Sequence, residues 1–212
     1  MPEILESVLN FVFPRDSRVR DLELLTAEDL RSKLPKAKLY KDNSIALFDH
    51  QDEGVRRIIW EIKYNKNKQL AFTCAELLAE ELLDFMREKR QFYPQAKFIL
   101  LPVPISDKRR RRRGYNQTEL VADCIKKMLP NIHYCKQTLR RDMDRTSQTK
   151  KTKTERAKNV SGCFSIINTS HIKDNIIIIL DDVTTTGATL DEIERNVSKH
   201  SPKELMRLTI SH

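Results

Sequence analysis

Residues 176 to 180 read Ile-Ile-Ile-Ile-Leu, and the chain then changes character within one residue, to Asp181-Asp182-Val183 and the run Thr184-Thr185-Thr186-Gly187-Ala188-Thr189. Branching at Cβ restricts χ1 and favours strand over helix, and an unbroken apolar run lacks the alternation of a strand with one wet face. Such a strand is covered on both sides, the situation of a parallel sheet between two layers of helices.

The rest of the chain fits that layout. Lys97 to Leu101 is a second apolar run, stopped by Pro102 and Pro104. A strand near His133 to Leu139 follows Pro130, and Leu205 to Ile210 reads as a final strand. Helical spacing appears at Val55, Ile58, Ile59 and Ile62, and again from Leu70 and Cys74 through Leu77 and Leu78 to Phe85 and Met86. Asn116, three residues before Glu119, opens a helix carrying Leu120, Val121, Cys124, Ile125 and Met128 with a capping-box-like pair. Asp181 to Gly187 is expected to be a turn, and Ala188 to about Lys199 a helix with Leu190, Ile193 and Val197 inward. Strands alternating with helices predict an α/β fold, a parallel sheet with helices on both faces. Residues 1 to about 40 read as a polar lead-in punctuated by Pro14 and Pro35.

Composition removes several classes. Hydrophobic residues are 39% of the 212, enough for a core, but the longest apolar run is the one at 176 to 180. A bilayer crossing needs about 20 residues. Met1 to Phe13 lacks the basic start and cleavage site of a secretory signal, so no membrane segment and a cytoplasmic location are expected. Cys74, Cys124, Cys135 and Cys163 form no CxxC pair and the five histidines show no ligand spacing, so neither zinc nor a disulfide framework is expected.

The net charge of +9 is concentrated. Lys108 to Arg113 is six consecutive cations, and Arg140 to Lys158 carries a surplus of five more, which leaves the remaining chain nearly neutral. Both stretches face polyanions.

Ligands of open α/β sheets bind beyond the carboxyl ends of the strands, where Asp181 and Asp182 fall. Two ionised carboxylates accept hydrogen bonds only, which suits the vicinal hydroxyls of a ribose. The turn that follows offers free N–H groups, a favourable dipole and the hydroxyls of Thr184, Thr185, Thr186 and Thr189, a cradle for a phosphate monoester. Gly187 lets the backbone approach the anion closely beside Ala188.

This segment resembles the phosphoribosyl pyrophosphate (PRPP) motif of type I phosphoribosyltransferases. A narrower resemblance spans most of the chain from about residue 45. Val103-Pro104, Arg113-Gly114-Tyr115-Asn116-Gln117, Gln148, Arg156, Asn159, Phe164 and the stretch from Asp181 to Thr189 are similar to the competence protein F (ComF, GntX-like) family. Gly54 to Ile59 followed by Lys63-Tyr64 is similar to that family's helix before the domain. The resemblance implies the phosphoribosyltransferase type I fold over 45–212 and a degenerate N-terminal extension over 1–44. Phe13-Pro14 stands there without the cysteines of the family's zinc module.

By resemblance, Val103, Pro104, Ile105 and Ser106 take the place of the pyrophosphate loop, with Arg113 and Lys158 as further contacts. Residues 145–159 take the place of a flexible lid, in which Lys151 replaces the usual Leu and Arg156 joins Asp181 and Asp182 as a catalytic candidate. The ligand implied is PRPP with Mg²⁺, carried by the substrate or touching Asp181 and Asp182. The activity implied is transfer of the phosphoribosyl group to an unidentified acceptor with release of pyrophosphate. Loss of pyrophosphate builds positive charge on the sugar and negative charge on the leaving group, which a basic lid would stabilise while excluding water.

The run from Lys108 to Arg113 has three readings: a solvated charged loop, a phosphate site needing only Arg113, or a patch for single-stranded DNA with Tyr115 as the nearby ring. The third belongs to an alternative in which the fold serves DNA uptake without catalysis. Asn116 is read as a helix cap before any catalytic role. A homodimer is compatible with the sequence and undetermined by it.

Overall fold

The structure is a computed structural model describing residues 17–38, 43–142 and 162–212. The lid at 145–159, with Gln148, Lys151, Arg156, Lys158 and Asn159, and the Phe13-Pro14 pair lie outside the described residues. In chain order the elements are α1 (Ser17–Glu23), α2 (Ala27–Lys33), β1 (Ser44–Phe48), α3 (Glu53–Tyr64), α4 (Lys68–Phe92), β2 (Phe98–Pro102), α5 (Asp107–Arg113), α6 (Gln117–Met128), β3 (Ile132–Tyr134), β4 (Leu139–Arg141), β5 (Phe164–Ile166), β6 (Ile176–Val183), α7 (Ala188–Ser198) and β7 (Glu204–Ser211).

Five strands pair in parallel in the order β1-β7-β6-β2-β3, and β4 and β5 form a separate antiparallel ribbon. The isoleucine run is the middle of this sheet. Successive side chains of a strand point to opposite faces, so the run splits between two cores. Ile176, Ile178 and Leu180 join Phe98, Leu100 and Leu208 beneath α3, α4 and α6. Ile177 and Ile179 join Ile99 and Leu101 beneath Leu190, Ile193 and Val197 of α7 and Phe164 of the ribbon. Both faces are covered, as the absence of alternation predicts.

Four local expectations change. β6 runs on to Val183, with Asp181 paired to Thr209 and Val183 to Ser211, so the acid pair ends a strand instead of opening a turn. The ladder to β7 holds the backbone extended there. The strand expected at His133 to Leu139 divides into β3, which joins the sheet, and β4, which turns away into the ribbon. Lys108 to Arg113 is helical, not a loop. Ser106 accepts from the Arg109 N–H at its start and Gly114, at φ 77°, closes it in the left-handed region that favours glycine. The lead-in contains α1 and α2; Leu30 of α2 is fully buried in the core shared with α4, flanked by Leu22 and Leu25.

Arg207 of β7 is 3% exposed, and its guanidinium bonds Asp191 Oδ1 at 2.7 Å and the Glu194 carboxylate, tying β7 to α7. No helix among the described residues is long and apolar enough to cross a membrane.

Candidate functional site at the carboxyl edge of the sheet

Because the five strands are parallel, their carboxyl ends share one edge. Asp181 and Asp182 stand there at the end of the central strand, with His50 following β1, Val103 following β2 and Ser211 ending β7. Asp182 is buried. Its Oδ2 takes Lys63 Nζ at 2.8 Å and the Gln117 Nε2 donor at 3.0 Å. Asp181 Oδ1 accepts from the Asp182 backbone N–H at 2.9 Å. The two carboxyl side chains also lie within hydrogen-bonding reach of each other.

Burial, followed by the adjacent Asp182 charge, pushes Asp181 up to about 7. Two carboxylates side by side resist double ionisation, and desolvation adds to the effect. His50 faces the same corner with Nδ1 3.0 Å from Ser211 Oγ. Burial, then Lys63 and Arg56, hold its ring below the ordinary histidine range.

The turn after β6 keeps the features of an anion cradle. Gly187 sits at φ 75°, and the first helical hydrogen bond of α7 runs from the Asp191 N–H to Gly187 O at 2.8 Å, with no side-chain cap. The N–H groups of Ala188, Thr189 and Leu190 therefore precede the helical ladder. The Thr184 hydroxyl is buried and has no hydrogen-bond partner among the described residues, while its N–H is spent on Ser211 O at 2.9 Å. Thr185 is exposed and Thr186 half-buried on the outer side of the turn.

At the loop after β2, Val103 is committed internally. Its N–H donates to Leu180 O at 2.8 Å, and its carbonyl accepts from Asn116 Nδ2 at 3.1 Å and Thr118 Oγ1 at 2.8 Å. Asn116 caps α6 as expected, but through the Thr118 N–H. The Glu119 carboxylate accepts from Asn116 Nδ2 at 3.4 Å and pairs with Arg110 and, at 2.8 Å, with Lys136. Ser106 is a helix cap. Pro104 and Ile105 border a hollow of about 710 Å³ that Arg110, Lys136 and Arg140 also line.

Arg113 points back toward the acid pair. Its Nη1 donates to Gln117 Oε1 at 3.0 Å, and its guanidinium lies over the Tyr64 ring. Lys63, Gln117 and His50 thus join the site without having been assigned roles from the sequence. Lys63 and Gln117 were visible only as letters of a motif, and His50 carried no signal.

No protein-family model matches the chain. Competence protein ComFC of Bacillus subtilis is 36% identical over 116 residues, covering 55% of this chain and 45% of the relative. Competence protein F of Haemophilus influenzae is 26% identical over 166 residues, 77% of this chain and 70% of the relative. The chain is thus similar in sequence to the competence protein F (ComF) proteins. DNA utilization protein YhgH of Escherichia coli is a further relative, 26% identical over 143 residues, 64% of this chain and 57% of that one. The match to this chain spans less than half the length of the Bacillus protein.

Among solved structures, a hypoxanthine phosphoribosyltransferase from Trypanosoma cruzi in complex with IMP matches at TM-score 0.44 and 13% identity, over 67% of this chain and 63% of that one. One from Staphylococcus aureus matches at TM-score 0.39 and 15% identity, over 65% and 62%. The chain itself has an α/β fold, with its parallel sheet covered on both faces and its acid pair ending the central strand.

Proposed function

We propose that this protein binds Mg²⁺·PRPP at the carboxyl edge of its sheet and transfers the phosphoribosyl group to an acceptor nucleophile, releasing pyrophosphate. The observation that carries the reading is the pairing of two carboxylates at the end of β6 with an uncapped helix start a few residues later. The carboxyl groups of Asp181 and Asp182 suit the two ribose hydroxyls. The N–H groups from Ala188 to Leu190, with the buried Thr184 hydroxyl close by in the chain, suit the 5′-phosphate. Hard carboxylate oxygens also suit Mg²⁺, which would travel with the substrate and spread the charge of the leaving pyrophosphate.

In the transfer, the C1′–O bond to pyrophosphate breaks, the acceptor's lone pair forms the new bond to C1′, and the acceptor's proton is released. The raised carboxyl of Asp181 makes the pair able to take up a proton near neutrality. Arg113 and, outside the described residues, Arg156 and Lys158 are the cations proposed for the pyrophosphate side. The test is calorimetry with Mg²⁺·PRPP on the wild type against a variant carrying Asp181→Asn and Asp182→Asn. Loss of binding in the variant supports the reading, and equal affinity in both removes it.

A second reading, binding of single-stranded DNA, is favoured by a stripe that the fold assembles. Arg57 lies over the Trp60 ring at 5.1 Å, Trp60 and Tyr64 are 5.6 Å apart, and Arg113 covers Tyr64. Trp60 and Tyr64 remain 44% and 48% exposed, enough to stack on bases. The cations of α5 continue the stripe. Tyr115, the ring expected to serve, has its hydroxyl donating to Ile62 O at 2.6 Å and accepting from the Lys66 N–H at 2.9 Å. Replacing Arg109 to Arg112 by Ser is expected to weaken oligonucleotide binding and flatten its salt dependence; unchanged binding would remove this reading.

A further inference from the structure

Lys63 is the penultimate residue of α3, and its ammonium makes the only ion pair to Asp182 among the described residues, with little exposure on either side, 24% and 8%. Solvent screening of this contact is correspondingly weak. Gln117 grips the same oxygen from α6, and Arg113, which donates to its amide oxygen, fixes which end of that amide faces the carboxylate. Asp182 is therefore anchored on Oδ2 from two helices, and its Oδ1 is aimed by that anchoring. Asp181 makes no ion pair among the described residues.

We propose that Lys63 is the positioning residue of the acid pair: it holds Asp182 by one oxygen, presents the other to the sugar hydroxyls, and neutralises the Asp182 charge so that an anionic substrate can approach. This rests on the Mg²⁺·PRPP reading of the corner. Without Lys63, an unpaired Asp182 carboxylate would meet a substrate that is itself negative. With it, the corner keeps the acceptors a diol requires while that charge is neutralised. The other charged groups facing the corner are His50 and Asp49 after β1, Arg56 on α3 and Arg113 on α5. Of these, His50, whose ring burial holds below the ordinary histidine range, needs its own control.

Carboxyl-carbon NMR of the unliganded protein at a fixed pH of 7 reads the contact between Lys63 and Asp182 directly. Lys63→Met is expected to displace the Asp182 carboxyl signal, Lys63→Arg to return it, and His50→Gln to leave it close to the wild type. In calorimetry with Mg²⁺·PRPP at pH 7, Lys63→Met is expected to bind at least tenfold more weakly and Lys63→Arg within threefold of the wild type. An Asp182 signal unmoved in Lys63→Met, or unchanged Mg²⁺·PRPP affinity in that variant, overturns the proposal. Failure of the wild type to bind Mg²⁺·PRPP would instead refute the proposed ligand, while the Asp182 signal would still report whether Lys63 holds that carboxylate.

Discussion

The guanidinium of Arg113 lies 4.7 Å from the centre of the Tyr64 ring, joining the last residue of α5 to the last residue of α3. Trp60 sits one turn earlier on α3, so an aromatic surface continues into a cationic helix. If this stripe stacks bases, Trp60→Ala and Tyr64→Ala are each expected to weaken binding of a short oligothymidylate about tenfold, the effect of losing about 1–3 kcal/mol per stacked base. Fluorescence anisotropy at fixed salt measures it. Tyr64→Phe should bind like the wild type, because the ring face is kept.

The acid pair carries a stability cost whose sign follows from its titration. Asp181, raised from 3.8 to about 7, keeps its proton in the folded protein over a range where the unfolded chain has lost it. Folding then takes up a proton between about pH 4 and 7, and stability falls as pH climbs through that window. Above it the folded protein bears the full cost of the buried charge. Asp181→Asn is expected to raise Tm by about 2–6 °C at pH 8, a chain of this size shifting about 2–4 °C per kcal/mol, and by less at pH 5. Scanning calorimetry at the two pH values checks it; a larger gain at pH 5 would reverse the sign.

At Gly187 the φ of 75° excludes most side chains without strain. Gly187→Ala is expected to cost about 1–2 kcal/mol, a fall in Tm of about 2–8 °C, and to abolish Mg²⁺·PRPP binding by displacing the start of α7. Gly187→Asn should lose less stability, since Asn tolerates the left-handed region.

Arg207 is a buried cation held by two carboxylates of α7. Removing both partners, with Asp191→Ala and Glu194→Ala together, leaves that charge uncompensated and is expected to cost about 3–5 kcal/mol in urea unfolding. Arg207→Leu, which removes the charge along with its need for partners, should cost less.

The run from Ile176 to Leu180 was legible as a doubly covered strand because its pattern depends only on neighbours along the chain. The same holds for the inward faces of α3, α4 and α7, and for the Asn116 cap. The cationic helix was also a local matter: Ser106 before it and Gly114 after it are caps at the right spacing, outweighed in the sequence reading by the charge of the run. The Glu119 partnership was not local, since Lys136 comes from beyond α6.

The sequence by itself determined the parallel α/β layout and the position of Asp181, Asp182 and the Thr184 to Thr189 turn at a strand-to-helix corner, because apolar periodicity and turn chemistry are properties of adjacent residues. Only the tertiary structure decided that Lys63 and Gln117 seize one oxygen of Asp182, that burial pushes the Asp181 carboxyl upward, and that Tyr64 meets Arg113. Desolvation and Coulomb energy depend on what lies across space, and three helices distant in the chain converge on that corner only after the sheet has formed.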